Sequence, residues 1–127
     1  DVKEKYSELV VDKGTKTYVT KNFQEYEPRY VPKGFNVAEV VEEDNFFKIR
    51  YVNDNGQWYY FACHENSYST HVDTENVETK EIKIGENDVT VYFKEGNIHA
   101  IMYKNFKQFL IRGKIDLDEV KKIFESI

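Results

Sequence analysis

Three histidines, a single cysteine and one short cluster of carboxylates are the side chains to weigh first for catalysis or metal binding. His64, His71 and His99 fall into no H-x-H or H-E-x-x-H spacing. The arrangement left open is convergence in space, with His64 and His99 on neighbouring strands. Cys63 stands beside His64, but adjacent residues of a strand point to opposite faces, so the pair cannot act as thiolate and base. One cysteine forms no internal disulfide, and a zinc site would need ligands that the spacing does not offer. In His71-Val72-Asp73-Thr74-Glu75-Asn76, Asp73 and Glu75 are paired carboxylates of the kind acid–base chemistry uses. They lie in a polar stretch among turn and cap formers, where nothing would raise a carboxyl pKa. The acidic run Asn53–Gly56 fails as a calcium loop, since Tyr51 occupies the first ligand position and no glutamate closes it. The four serines sit in no G-x-S-x-G context, and no glycine-rich phosphate cradle is present. The chain is expected to be no enzyme, and to use neither cofactor nor metal.

Recognition chemistry is better represented. In Trp58-Tyr59-Tyr60-Phe61-Ala62-Cys63-His64, alternation puts Trp58, Tyr60, Ala62 and His64 on one side and Tyr59, Phe61 and Cys63 on the other. A strand apolar on both faces is normally central and covered twice. The functional alternative is that one aromatic row lines a groove for a peptide or sugar. Trp58, Tyr60 and His64, with His71, Asp73 and Glu75 from the loop Asn66–Asn76, are therefore the candidate partner-binding surface.

These groups belong to a chain of 127 residues, enough for one domain with one core. Its aromatics are almost all Tyr and Phe, which favours strands over a helical bundle. A net charge of −5 and the lack of a basic patch argue against nucleic acid as a partner. No apolar run is long enough to span a bilayer, and no signal peptide is visible. The chain starts at Asp1 and reads as a fragment or mature domain, with any membrane anchor upstream.

Taken in order, residues 1–27 read as an extension. Either a hairpin, with Glu8–Val11 and Tyr18–Thr20 flanking Asp12-Lys13-Gly14-Thr15, or a short helix over Glu4–Val11 would fit. Pro28 and Pro32 in Glu27–Phe35 impose extended backbone and a rigid entry. Val37–Val41, Phe46–Val52 and Gln57–Glu65 read as strands, the last two joined across Asn55-Gly56 by a primed turn. From Lys80 a meander follows: Glu81–Ile84, Val89–Lys94, Ile98–Tyr103 and Phe106–Arg112, with short connectors rich in Gly and Asn. Val89, Val91 and Phe93 mark its buried face. Asp116–Ile127 reads as an amphipathic helix, with Leu117, Val120, Ile123, Phe124 and Ile127 on one stripe. Asp116 is its N-cap, Glu119 is placed for a capping box, and Ile115 for a staple onto Val120. The expected fold is α+β: a curved antiparallel meander sheet of six to eight strands covered by this helix, with residues 28–127 as one unit.

Three stretches together resemble a bacterial family of domains of unknown function, numbered 4367. They are Pro28–Phe35 (PRYVPKGF), Asp73–Asn76 (DTEN) with the strand after it, and Ile111–Ile127 (IRGKIDLDEVKKIFESI). The similarity spans residues 27–127 in order. One departure is local: the family places a tryptophan in its penultimate strand before an Asn-Gly turn, whereas here Met102-Tyr103 precedes Lys104-Asn105-Phe106. The resemblance implies an extracytoplasmic domain, mainly of Firmicutes, often downstream of a membrane anchor in proteins related to anti-sigma-factor regulators. It is also distantly similar to the C-terminal domain of the periplasmic regulator of the envelope-stress anti-sigma factor. What it implies is a non-enzymatic binding or sensor domain with a protein partner at the cell envelope. A carbohydrate- or small-ligand-binding module using exposed aromatics is the alternative.

Overall fold

The computed structural model describes residues 17–65 and 77–127. Seven strands, β1 (Asn36–Glu43), β2 (Phe46–Val52), β3 (Trp58–His64), β4 (Thr79–Ile84), β5 (Asn87–Lys94), β6 (Asn97–Lys104) and β7 (Lys107–Gly113), precede one helix, α1 (Leu117–Glu125). All pairings are antiparallel, and the order across the sheet is β1-β2-β3-β7-β6-β5-β4. The expected α+β architecture is found. It is built from two meanders, β1–β3 and β4–β7, whose last strands pair with each other. The chain therefore crosses from the middle of the sheet to its far edge between β3 and β4.

Turn chemistry explains the hairpins. Between β2 and β3, Asn55 is not at positive φ and only Gly56 is, at 78°. The expected primed turn is instead an Asn53–Gly56 β-turn closed by Gly56 N–H donating to Asn53 O at 3.1 Å. The Asn53 carboxamide accepts from the Asn55 and Gln57 amides and so organises the loop. A doubly left-handed turn does occur between β6 and β7, at Asn105 (φ 53°) and Phe106 (φ 64°). Glycine normally takes the second of these positions, since a bulky side chain there is strained. Phe106 is also 94 % exposed.

Gly113 is fixed by sterics. Its φ is 151°, and a Cβ there would lie 2.4 Å from Trp58 O and Tyr59 Cα. The close approach lets the next residue, Lys114, donate its amide to Trp58 O at 2.9 Å. This locks the end of β7 onto the start of β3.

The core lies on one face of the sheet. Phe47, Ile49 and Tyr51 of β2, Tyr59, Phe61 and Cys63 of β3, Phe109 and Ile111 of β7, and Ile98, Ala100 and Met102 of β6 are all buried there. Helix α1 lays Val120, Ile123 and Phe124 on this face, with Phe124 edge-on to Phe61 at 6.3 Å. Asp116 caps it as expected, accepting from the Glu119 amide at 2.9 Å. The Glu119 carboxylate does not complete a capping box; it accepts from the Tyr30 hydroxyl at 2.6 Å.

The N-terminal part of the described chain covers the rest of that face. Val19 and Phe23 join the same core, Phe23 packing on Phe47 at 5.1 Å, and Tyr26 meets Phe109 at 5.9 Å. Tyr18–Thr20 is not a strand; a short 3-10 turn over Gln24–Tyr26 follows it. The hairpin and helix alternatives for residues 4–16 lie outside the described residues. The Arg29 and Tyr30 amides both donate to Ser126 Oγ, at 3.0 and 3.1 Å, which ties the proline segment to the end of α1. Glu27 is buried and accepts from the amides of Tyr18 (2.7 Å) and Val19 (3.1 Å). Burial raises its carboxyl to about 7 against those two hydrogen bonds, with the nearby Glu42 charge adding to the rise.

Alternation fails near the end of β5. Phe93, expected on the buried face, is 48 % exposed near the sheet's end, while its neighbour Tyr92 on the opposite face is 3 % exposed.

Candidate interaction face

The strand alternation that buries Tyr59, Phe61 and Cys63 turns Trp58, Tyr60 and His64 to the face opposite the helix. Trp58, Tyr60 and His64 are half-buried. Among the described residues, α1 and the N-terminal segment both pack on the inner face. The outer aromatics contact one another laterally. Trp58 and Tyr60 stack with planes 12° apart and centroids at 6.3 Å, and Lys48 Nζ from β2 sits 5.2 Å from the Tyr60 centroid. Phe46 lies 4.6 Å from the His64 ring, and Tyr92 stacks on His99 at 4.7 Å and 16°.

Register joins these contacts into a row that crosses the strands. Arg50 pairs with Tyr60, Tyr60 with Arg112, Arg112 with His99, and His99 with Tyr92. At the β1 end, Glu39 meets Arg50 Nε at 3.8 Å. Arg112 is exposed at the middle of this row, on the central strand of the sheet, and makes no ion pair among the described residues. On the same face Ala62 and Gln108 are buried, while Arg50 and Arg112 are exposed and Tyr60 is half-buried.

Electrostatics follows the geometry. Burial lowers the His64 pKa, and burial together with the Arg112 and Lys94 charges lowers that of His99, against a smaller opposing pull from Glu95. Both imidazoles are therefore held toward the neutral form. Cys63 lies on the inner face, where burial pushes its thiol up to about 12, so it is a core side chain with little thiolate character.

The convergence of His64 and His99 that the sequence left open does not occur. Strands β3 and β6 are separated by β7, and the two residues pair with Gln108 and Arg112 respectively, four positions apart along it. No group of His, Cys, Asp and Glu able to hold a metal forms among the described residues. His71, Asp73 and Glu75, with the rest of Asn66–Asn76, lie outside the described residues.

Sequence reasoning missed Lys48, Arg50, Arg112, His99 and Tyr92 as members of this face. A compositional signal was present: β2, β3, β6 and β7 contain no Asp or Glu, in a chain that has 23 of them. Only the register shows that their Arg and His side chains share a row with Tyr60.

A concavity of about 340 Å³ opens beside the start of α1. Tyr30, Lys33 and Phe35 of the proline segment line it, opposite Gln57, Ile115 and Glu119.

A family model described as Domain of unknown function (DUF4367) matches residues 25–127. No curated protein and no solved structure gives a match.

Proposed function

Because the chain belongs to this family of domains of unknown function, we propose a role from its site: a non-enzymatic, extracytoplasmic binding or sensor domain that docks a protein partner on the outer face of its sheet. The carrying observation is the half-buried Trp58–Tyr60–His64 row, set among cations on the face opposite α1. The inner face is occupied by the domain's own helix and N-terminal segment, so a partner meets the other one. The family resemblance supplies the setting, which is regulation at the bacterial envelope linked to anti-sigma factors.

The carbohydrate reading draws less support. Sugar platforms offer the flat faces of aromatic rings, and here Tyr60 is already engaged by Trp58 and Lys48, and His99 by Tyr92.

The test is a cell carrying the full-length gene product and a reporter driven by its extracytoplasmic-function sigma factor. Trp58→Ala/Tyr60→Ala is expected to change reporter output while the purified domain keeps its thermal transition. An unchanged reporter, or fractionation that places the domain in the cytoplasm, would sink the proposal.

A further inference from the structure

The acid-free centre of the sheet narrows the partner's chemistry. We infer that the outer face around Arg112 binds an extended acidic polypeptide segment, whose carboxylates meet Arg112 and Arg50 across the Tyr60 ring. This rests on the outer face being the docking surface, and adds what kind of chain docks there.

Charge distribution is the first argument. Strands β2, β3, β6 and β7 lack carboxylates, while Lys48, Arg50 and Arg112 project from the outer face of β2 and β7. Among the described residues, the strand acids of this face stand toward the sheet edges: Glu39 and Glu43 on β1, Glu81 on β4 and Asp88 on β5. The protein is acidic overall, so the cationic centre is local and its complement is an anion.

Spacing is the second. Arg50 and Arg112 flank Tyr60 on the two neighbouring strands, which puts them about 10 Å apart. Carboxylates two or three residues apart in an extended chain repeat at about 7–10 Å, so one segment running across the strands meets both guanidinium groups.

Other anions fit less well. An acidic polysaccharide would need ring faces that Trp58, Lys48 and Tyr92 already cover. A free phosphate would need several converging donors, and the row is linear. Anionic lipid favours clustered lysines with apolar side chains that insert, whereas this row pairs arginines with rings stacked flat on their neighbours.

Trp58 is the chain's only tryptophan and stacks on Tyr60, so its emission reports occupancy of the row. The experiment titrates the chain with a labelled hexaglutamate peptide, following Trp58 fluorescence and peptide anisotropy. Saturable binding is expected, weakening as ionic strength rises from about 0.05 to about 0.3 M. Arg112→Glu is expected to weaken it by at least about tenfold, and Arg112→Lys by less, because lysine keeps the charge but loses the bidentate fork. Arg112 is exposed, so both variants should unfold with the wild-type transition. Silence of both signals, equal binding by Arg112→Glu, or tighter binding of polygalacturonate or phosphatidylglycerol vesicles than of the peptide would overturn the inference. If Trp58→Ala/Tyr60→Ala still alters the reporter in that event, the face docks a partner of different chemistry. If the reporter is also unmoved, the docking role itself falls.

Discussion

The two faces of β3 solve the same problem in different ways. Tyr59, Phe61 and Cys63 leave water by lying under Phe124 and the side chains of β2 and β7. Trp58, Tyr60 and His64 stay half-exposed and lean on neighbours within their own layer, through ring stacking and the Lys48 ammonium. Vertical burial of this kind is worth several kcal/mol per large side chain, whereas lateral contacts contribute tenths to about one. An aromatic strand therefore need not be buried on both faces. Its second face can remain open for binding at little cost to folding.

Removing the cover of the inner face should have the largest effect. A chain ending at Lys114 loses α1 and the Ser126 anchor of the proline segment, and leaves the core on Phe61 and Ile111 in water. It is expected to show no cooperative thermal transition; a normal one would mean that α1 is dispensable and the inner face is not the core.

Next in size is a matched pair on β3. Phe61→Ala should cost about 3–5 kcal/mol in denaturant unfolding, and Tyr60→Ala less than about 1 kcal/mol. Equal losses would erase the distinction between the faces.

A pH-dependent effect comes after these and concerns Glu27, the carboxylate buried under the inner face among the described residues. Its folded pKa, about 7, lies above the ordinary 4.5. Between those values the folded state binds the extra proton, so the contribution of Glu27 to stability is greatest below about pH 4.5 and is lost as pH rises through about 7, by at most a few kcal/mol. Glu27→Gln keeps an acceptor for the Tyr18 and Val19 amides without the charge, and should flatten that slope in unfolding measured from about pH 5 to about pH 8. An unaltered slope would assign the pH dependence elsewhere.

Much of the fold was legible in the sequence because the features that encode it are local. The stripe Val120–Ile123–Phe124, the Asp116 cap and the glycine-rich connectors each name an element without reference to the rest. The pairing of β3 with β7 was not legible, since nothing local joins Phe61 to Ile111. Nor was the left-handed turn at Asn105-Phe106, where glycine would have been the signal. At the candidate site, alternation alone placed Trp58, Tyr60 and His64 on one face. Arg112 and His99 stayed hidden because a cross-strand row exists only once the register is fixed. Tyr92 shows the same limit: it alternates with the expected buried positions Val91 and Phe93 and is nonetheless buried itself.

The seam between β3 and β7 also sets an order of events. When His64 leaves the ribosome, its strand has one partner, β2, and its other edge must wait for Lys107 and the residues after it. At about 5–20 residues per second that wait lasts some seconds, long compared with the microseconds in which the β1–β3 hairpins can close. For that interval the nascent chain presents Tyr59, Phe61 and Cys63 on an open, aromatic strand edge. Contacts this distant in sequence slow folding, and they make this edge the place where premature pairing with another chain would begin.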